Sequence, residues 1–131
     1  MNVLILTIGS RGDVQPYVAL GTALQARGHT VTLSTGRGFE AFIEAHGLRA
    51  APLSVDFREL IQTPEMQEAL RSLSARFRAY RDFKALARQL LDEMWAVARE
   101  QRPDIIVYHA KAYTASHIAE ALQTVAVPSF Q

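Results

Sequence analysis

No cysteine occurs among the 131 residues, which excludes disulfides, thiol nucleophiles and sulfur-ligated metals and suits a reducing compartment such as the cytoplasm. An excess of one charge is missing too: 14 Lys and Arg stand against 13 Asp and Glu, a formal net charge of +1. That balance argues against nucleic acid as a partner. No stretch approaches the roughly 20 apolar residues that span a bilayer. The apolar opening lacks a basic lead-in and breaks at Gly9-Ser10-Arg11-Gly12-Asp13, so it does not read as a signal peptide. The expectation is a soluble protein or, at most, one attached to a membrane surface. No cluster of His, Asp and Glu has metal-ligand spacing, and no metal site is expected. A P-loop is absent because there is no GxxxxGK[ST] sequence, and the third glycine of a dinucleotide fingerprint is absent as well.

What is present is a folded composition, 49% hydrophobic and 21% charged, with a length that suits one domain. Residues 3–8 (VLILTI) are apolar and rich in β-branched side chains, as a parallel strand covered on both faces requires. Pro16 is placed to open a helix, since its missing N–H has no partner in a first turn. Tyr17, Leu20, Gly21 and Leu24 follow at helical spacing, and Gly28 ends that helix. Residues 29–33 read as a second strand. Phe39, Phe42 and Ile43 line a short helix closed by Gly47, and residues 48–53 form a weaker third strand in which Pro52 suits an end or an edge. A loop precedes Pro64, which starts another helical region with Glu65 and Glu68 near its positive end. Phe83, Leu86, Leu90, Met94 and Val97 mark the stripe of a long helix ending before Pro103. Residues 104–108 (DIIVY) are the fourth strand, 112–122 a helix and 125–127 a short fifth strand. Strands alternating with helices predict an α/β fold with a doubly wound parallel sheet and helices on both faces. In such sheets ligands bind at the carboxyl ends of the strands.

The chemistry-bearing residues gather at that edge. Gly9 and Gly12 let the backbone turn sharply, Ser10 offers a hydroxyl, and Arg11 can pair with a carboxylate or phosphate. The same pattern serves equally as a tight structural turn. Asp13 has two readings: an N-cap of the next helix, or a carboxylate turned into the cleft as a base. The two compete, because a carboxylate spent on capping is a poor base. His109 follows the fourth strand and stands at the same edge, where it can transfer a proton or donate a structural hydrogen bond. Lys111 can attract an anionic group or simply be solvated. His29, His46 and His117 read as structural. Arg71, Arg76, Arg78, Arg81, Lys84 and Arg88 make a basic run interleaved with Phe77, Tyr80 and Phe83. Solvation is the default reading, and contact with an anionic membrane is the alternative.

The segment 2–33, NVLILTIGSRGDVQPYVALGTALQARGHTVTL, closely resembles the start of nucleotide-sugar glycosyltransferases of the sterol and antibiotic type. The likeness includes the run from Gly9 to Pro16 and Arg27-Gly28-His29. It continues through Phe39-Glu40-Ala41-Phe42-Ile43, Pro103-Asp104 and Ala119-Glu120-Ala121-Leu122, and so extends over essentially the whole chain. The resemblance implies a fold of two facing Rossmann-like domains, of which residues 1–131 are an incomplete N-terminal acceptor-binding domain without the C-terminal donor domain. It implies a UDP- or TDP-sugar as donor co-substrate, no tightly bound cofactor, and a small-molecule hydroxyl acceptor: a lipid, a sterol or a natural product. Asp13 would activate the acceptor hydroxyl for attack on the anomeric carbon with inversion, where related plant-type enzymes place a histidine. Ser10, Arg11, Gly12, His109 and Lys111 would line the acceptor side and the interdomain cleft, with Gly9 and Pro16 shaping the turn. The chain alone would be inactive and would need the missing domain or a complementary subunit. A noncatalytic binding or regulatory module, or one subunit of a split enzyme, is the alternative. The expected location is cytoplasmic, with peripheral contact at the inner face of a membrane.

Overall fold

In the computed structural model the described residues are 1–9, 11–56, 59, 62–69, 71–109 and 115–129, with the backbone alone at 65, 66, 69, 73–83 and 116. They form β1 (Asn2–Leu6), α1 (Arg11–Ala26), β2 (Thr30–Ser34), α2 (Glu40–Ala45) and β3 (Arg49–Ala50), then α3 (Pro64–Ala69), α4 (Leu73–Gln101), β4 (Ile105–His109), α5 (Ala115–Ala121) and β5 (Val125–Ser129). Among these residues the strands make one five-stranded sheet in the order β3-β2-β1-β4-β5, parallel throughout. Strand order reverses at β1, which pairs with β2 on one side and β4 on the other.

β1 shows why an unbroken apolar run is needed in the centre. Side chains alternate faces along a strand, and both faces here are covered. Val3 and Ile5 enter a core with Val14, Tyr17 and Val18 of α1, Val31 and Leu33 of β2, and Ile43 of α2. Leu4 and Leu6 enter a second core with Leu90, Met94 and Ala98 of α4, Ile106 of β4, and Ile118 of α5. Each such side chain removed from water contributes about 1.5–3 kcal/mol. The two layers hold α1 and α2 against one face and α4 and α5 against the other.

The doubly wound expectation therefore stands, with local differences. β3 pairs over two residues only. Hydrogen bonds to β2 nevertheless run on past it: Ala51 N–H donates to the Leu33 carbonyl at 3.0 Å and Leu53 N–H to that of Thr35 at 2.8 Å, while Pro52 between them falls on the open edge, where a missing N–H is tolerated. β5 runs two residues longer than expected and includes Pro128, which an edge strand tolerates. α1 starts at Arg11, so Pro16 lies inside it rather than at its opening. Gly28 follows the end of α1 with φ +90°, as a helix stop requires. The expected helix start at residue 112 falls outside the described residues.

Candidate functional site

The reversal of strand order puts the β1–α1 turn beside the carboxyl end of β4, and the turn is built from its first residue. Thr7 is buried; its N–H donates to the Ser34 carbonyl at 3.1 Å and its Oγ1 to the Asp13 carbonyl at 3.0 Å. Strand β2 and the first turn of α1 are thus tied to one residue. Gly9 follows with φ +140°, a region that side-chain-bearing residues rarely adopt. A Cβ placed on Gly9 would fall 2.1 Å from Asp13 Oδ2 and 2.7 Å from its Cγ. The Asp13 carboxylate occupies the space that any larger residue at position 9 would need.

Asp13 is the third residue of α1, half-buried and inside the first turn. It is not a cap standing outside the helix. The positive end of the helix favours a carboxylate there by about 0.3–1 kcal/mol. Pro16 is the sixth residue, so the bond it would have donated to the Gly12 carbonyl cannot form. The helix tolerates this near its start, where φ of about −65° is already correct.

Arg11 and Gly12 are exposed. The Arg11 guanidinium carbon lies 5.0 Å from the centroid of the Phe42 ring, a cation–π arrangement. Phe42 meets His46 edge to face at 4.9 Å, and His46 Nδ1 lies 2.8 Å from the Phe42 carbonyl oxygen. His46 therefore has a structural place, as expected, and α2 supplies the platform on which Arg11 rests. His109, the last residue of β4, is only 8% exposed and meets Tyr17 at 5.9 Å between ring centroids, with planes at 86°. The Tyr17 hydroxyl donates to the Ser129 carbonyl at 3.3 Å.

The structure thus brings Asp13, Arg11 and Gly9 together in one turn and joins His109 to the same helix through Tyr17. Ser10 and Lys111 lie outside the described residues. Thr7 and Tyr17 were not singled out by sequence as parts of the site. Tyr17 carried one signal, its spacing of four residues from Asp13, which puts both on one face of α1; Thr7 carried none. In the basic run, Arg71, Lys84 and Arg88 are exposed, while the side chains of Arg76, Arg78, Arg81, Phe77, Tyr80 and Phe83 lie outside the described residues. Among the described residues no helix is long and apolar enough to cross a membrane. No group of three or more His, Asp or Glu among them could hold a metal ion.

Comparison with known proteins agrees with this architecture. Residues 3–129 match the glycosyltransferase family 28 N-terminal domain. Sterol 3-beta-glucosyltransferase of Saccharomyces cerevisiae (strain YJM789) is 38% identical over 132 residues, covering 97% of this chain and 10% of that protein. The protein of the same name from Debaryomyces hansenii is 40% identical over 121 residues, covering 92% of this chain and 8% of its own length. The chain thus spans about a tenth of these curated relatives. Among solved structures, the glycosyltransferase SsfS6 of Streptomyces sp. SF2575, complexed with thymidine diphosphate, superposes with a TM-score of 0.71 at 26% identity, over 99% of this chain and 38% of that one. The chain belongs to the glycosyltransferase family 28 N-terminal domain family and is related to sterol 3-beta-glucosyltransferases.

Proposed function

We propose that this chain is the acceptor-side domain of an inverting glycosyltransferase that moves a hexose or deoxyhexose from a nucleoside-diphosphate sugar to a hydroxyl, and that it is inactive alone. Asp13 takes the proton of the acceptor hydroxyl while that oxygen attacks the anomeric carbon and the nucleoside diphosphate leaves. The observation that carries this reading is the Asp13 carboxylate held against Gly9 in the first turn of α1, beside the reversal of strand order. Open α/β sheets take their ligands at that crevice. Arg11 and Ser10 belong to the cleft where donor phosphates arrive, Gly12 to its backbone wall, and His109 and Lys111 to the acceptor side.

The likeness to two sterol 3-beta-glucosyltransferases supports a sterol hydroxyl as acceptor. The likeness to a glycosyltransferase crystallised with thymidine diphosphate supports a nucleoside-diphosphate sugar as donor. A C-terminal donor domain, or a complementary subunit, supplies the donor pocket. A membrane-dissolved acceptor is reached from the cytoplasmic face, with the basic run from Arg71 to Arg88 as the contact. Neutralising Arg76, Arg78 and Arg81 should then reduce sedimentation with anionic liposomes, and unchanged sedimentation removes the run from that role.

The test of the base is a chimaera. This sequence replaces the matching segment of the Saccharomyces relative, and sterol glucoside formation from UDP-glucose is measured. Asp13→Asn should lower kcat by about 10²- to 10⁴-fold, the usual contribution of a positioned proton acceptor. Normal turnover in that variant, with the fold intact, removes Asp13 from the reaction.

A further inference from the structure

Tyr17 is buried completely, yet two of its groups meet one cross-strand pair. His109 and Ser129 are register partners on β4 and β5. The Tyr17 ring stands at 86° to the His109 imidazole with centroids 5.9 Å apart, and its hydroxyl donates to the Ser129 carbonyl at 3.3 Å. An edge-to-face aromatic pair has a preferred geometry and resists rotation of either ring. The hydroxyl ties α1 to the end of β5, because a buried phenol that loses its acceptor is destabilised. Tyr17 lies one helical turn after Asp13 on the same face of α1. The helix that carries the carboxylate therefore also sets the end of β4.

We infer that Tyr17 is a positioning residue for the acceptor side: its ring fixes the plane of the His109 imidazole, and its hydroxyl separately ties the end of β5 to α1. This role rests on the reading of His109 as an acceptor-side contact. Ring and hydroxyl have separable duties. Tyr17→Phe keeps the ring contact and frees the strand end, whereas Tyr17→Leu removes both.

The experiment is NMR on the whole chain, with sterol kinetics in the chimaera described above. In the unmodified chain, nuclear Overhauser contacts are expected between the ring protons of Tyr17 and His109. Tyr17→Phe should leave the His109 ring resonances in place while amide exchange in β5 quickens by about 2- to 10-fold, the loss of one hydrogen bond. Tyr17→Leu should move the His109 ring resonances and raise the sterol KM by about 2- to 10-fold at nearly constant kcat, the scale of one aromatic pair. Missing ring-to-ring contacts in the unmodified chain overturn the inference, even if Tyr17→Leu fails to fold. So do His109 resonances unmoved in Tyr17→Leu, or an unchanged KM beside altered spectra. Turnover surviving in Asp13→Asn defeats the proposed base but leaves every one of these spectra as expected, so the two failures are told apart.

Discussion

Two glycine-to-alanine substitutions separate backbone strain from displacement of the Asp13 carboxylate. Gly9 and Gly28 both hold positive φ, +140° and +90°. An L-residue forced into such a region costs about 1–3 kcal/mol. At Gly28 that is the whole effect, since nothing lies within 4 Å of the added Cβ. At Gly9 the added methyl would stand 2.1 Å from Asp13 Oδ2 and 3.0 Å from Asp13 Cβ. Turning the carboxylate away costs roughly a further 0.5–1.5 kcal/mol when it leaves a staggered rotamer, so Gly9→Ala should be the less stable of the two by at least that much. Each should melt lower, by roughly 3–5 °C per kcal/mol in a domain of this size. Activity should separate them. A misplacement of 1 Å in a reacting group can cost about 10²-fold, so sterol glucosylation by the chimaera should fall about that far in Gly9→Ala and stay near normal in Gly28→Ala. Equal activity in two equally folded variants would refute the argument that the carboxylate works from its place over Gly9.

Two further substitutions test the packing that holds the turn. Thr7→Val preserves shape but removes the donor to the Asp13 carbonyl; a loss of about 0.5–1.5 kcal/mol is expected by chemical denaturation, with faster amide exchange in the first turn of α1. Unchanged stability and exchange would show that the hydroxyl does not hold α1. Gly21→Ala gains about 1 kcal/mol of helix propensity but puts a methyl 2.9 Å from Leu48 Cδ1 and 3.3 Å from Val31 Cγ1. Overpacking of this kind costs about 1–3 kcal/mol. The net expectation is a loss of up to about 2 kcal/mol, and a clear gain in stability would refute close packing of α1 on β2.

The parts of the fold legible in the sequence are those fixed by local pattern. The apolar run of β1 required cover on both faces, and both cores are found there. Gly28 marked the end of α1 because only the φ of its own residue was at stake. β3 and the start of α1 were less legible, since each depended on a balance between neighbours. Arg49 and Ala50 alone pair regularly with β2, and the bonds from Ala51 and Leu53 that follow lie on either side of an edge-facing Pro52. At α1, Gly12 reads as a turn residue, yet the N–H groups of a first turn need no helical partner. Asp13 adds favourable charge at the same end, so the helix begins five residues before Pro16. The links of the candidate site were illegible for a different reason. Tyr17 and Ser129 stand 112 residues apart, and the contact between Tyr17 and His109 exists only after β4 has paired with β1. No periodicity in α1 encodes it.

Sequence left the glycine turn with two readings, a tight structural turn or a loop for a ligand. The structure divides these roles between its residues. Gly9 carries the structural demand, in a backbone conformation and a contact with Asp13 that a side chain would break. Thr7 anchors β2 and the first turn of α1 together, through Ser34 and Asp13. Arg11 and Gly12, two residues further on, are exposed, and among the described residues no carboxylate stands against the Arg11 guanidinium, which rests on the face of Phe42. A cation–π contact at an exposed site is worth about 0.5–1 kcal/mol. A charge-assisted, bidentate bond to a phosphate is worth more, about 1.5–3 kcal/mol for a hydrogen bond to a charged group. Under the proposed function, an arriving diphosphate would therefore draw Arg11 from Phe42, and Gly9, Thr7 and Asp13 would keep their places. The order of residues in the turn sets this division: the conformationally demanding glycine comes first, against the Asp13 carboxylate, and the exposed cation comes after it.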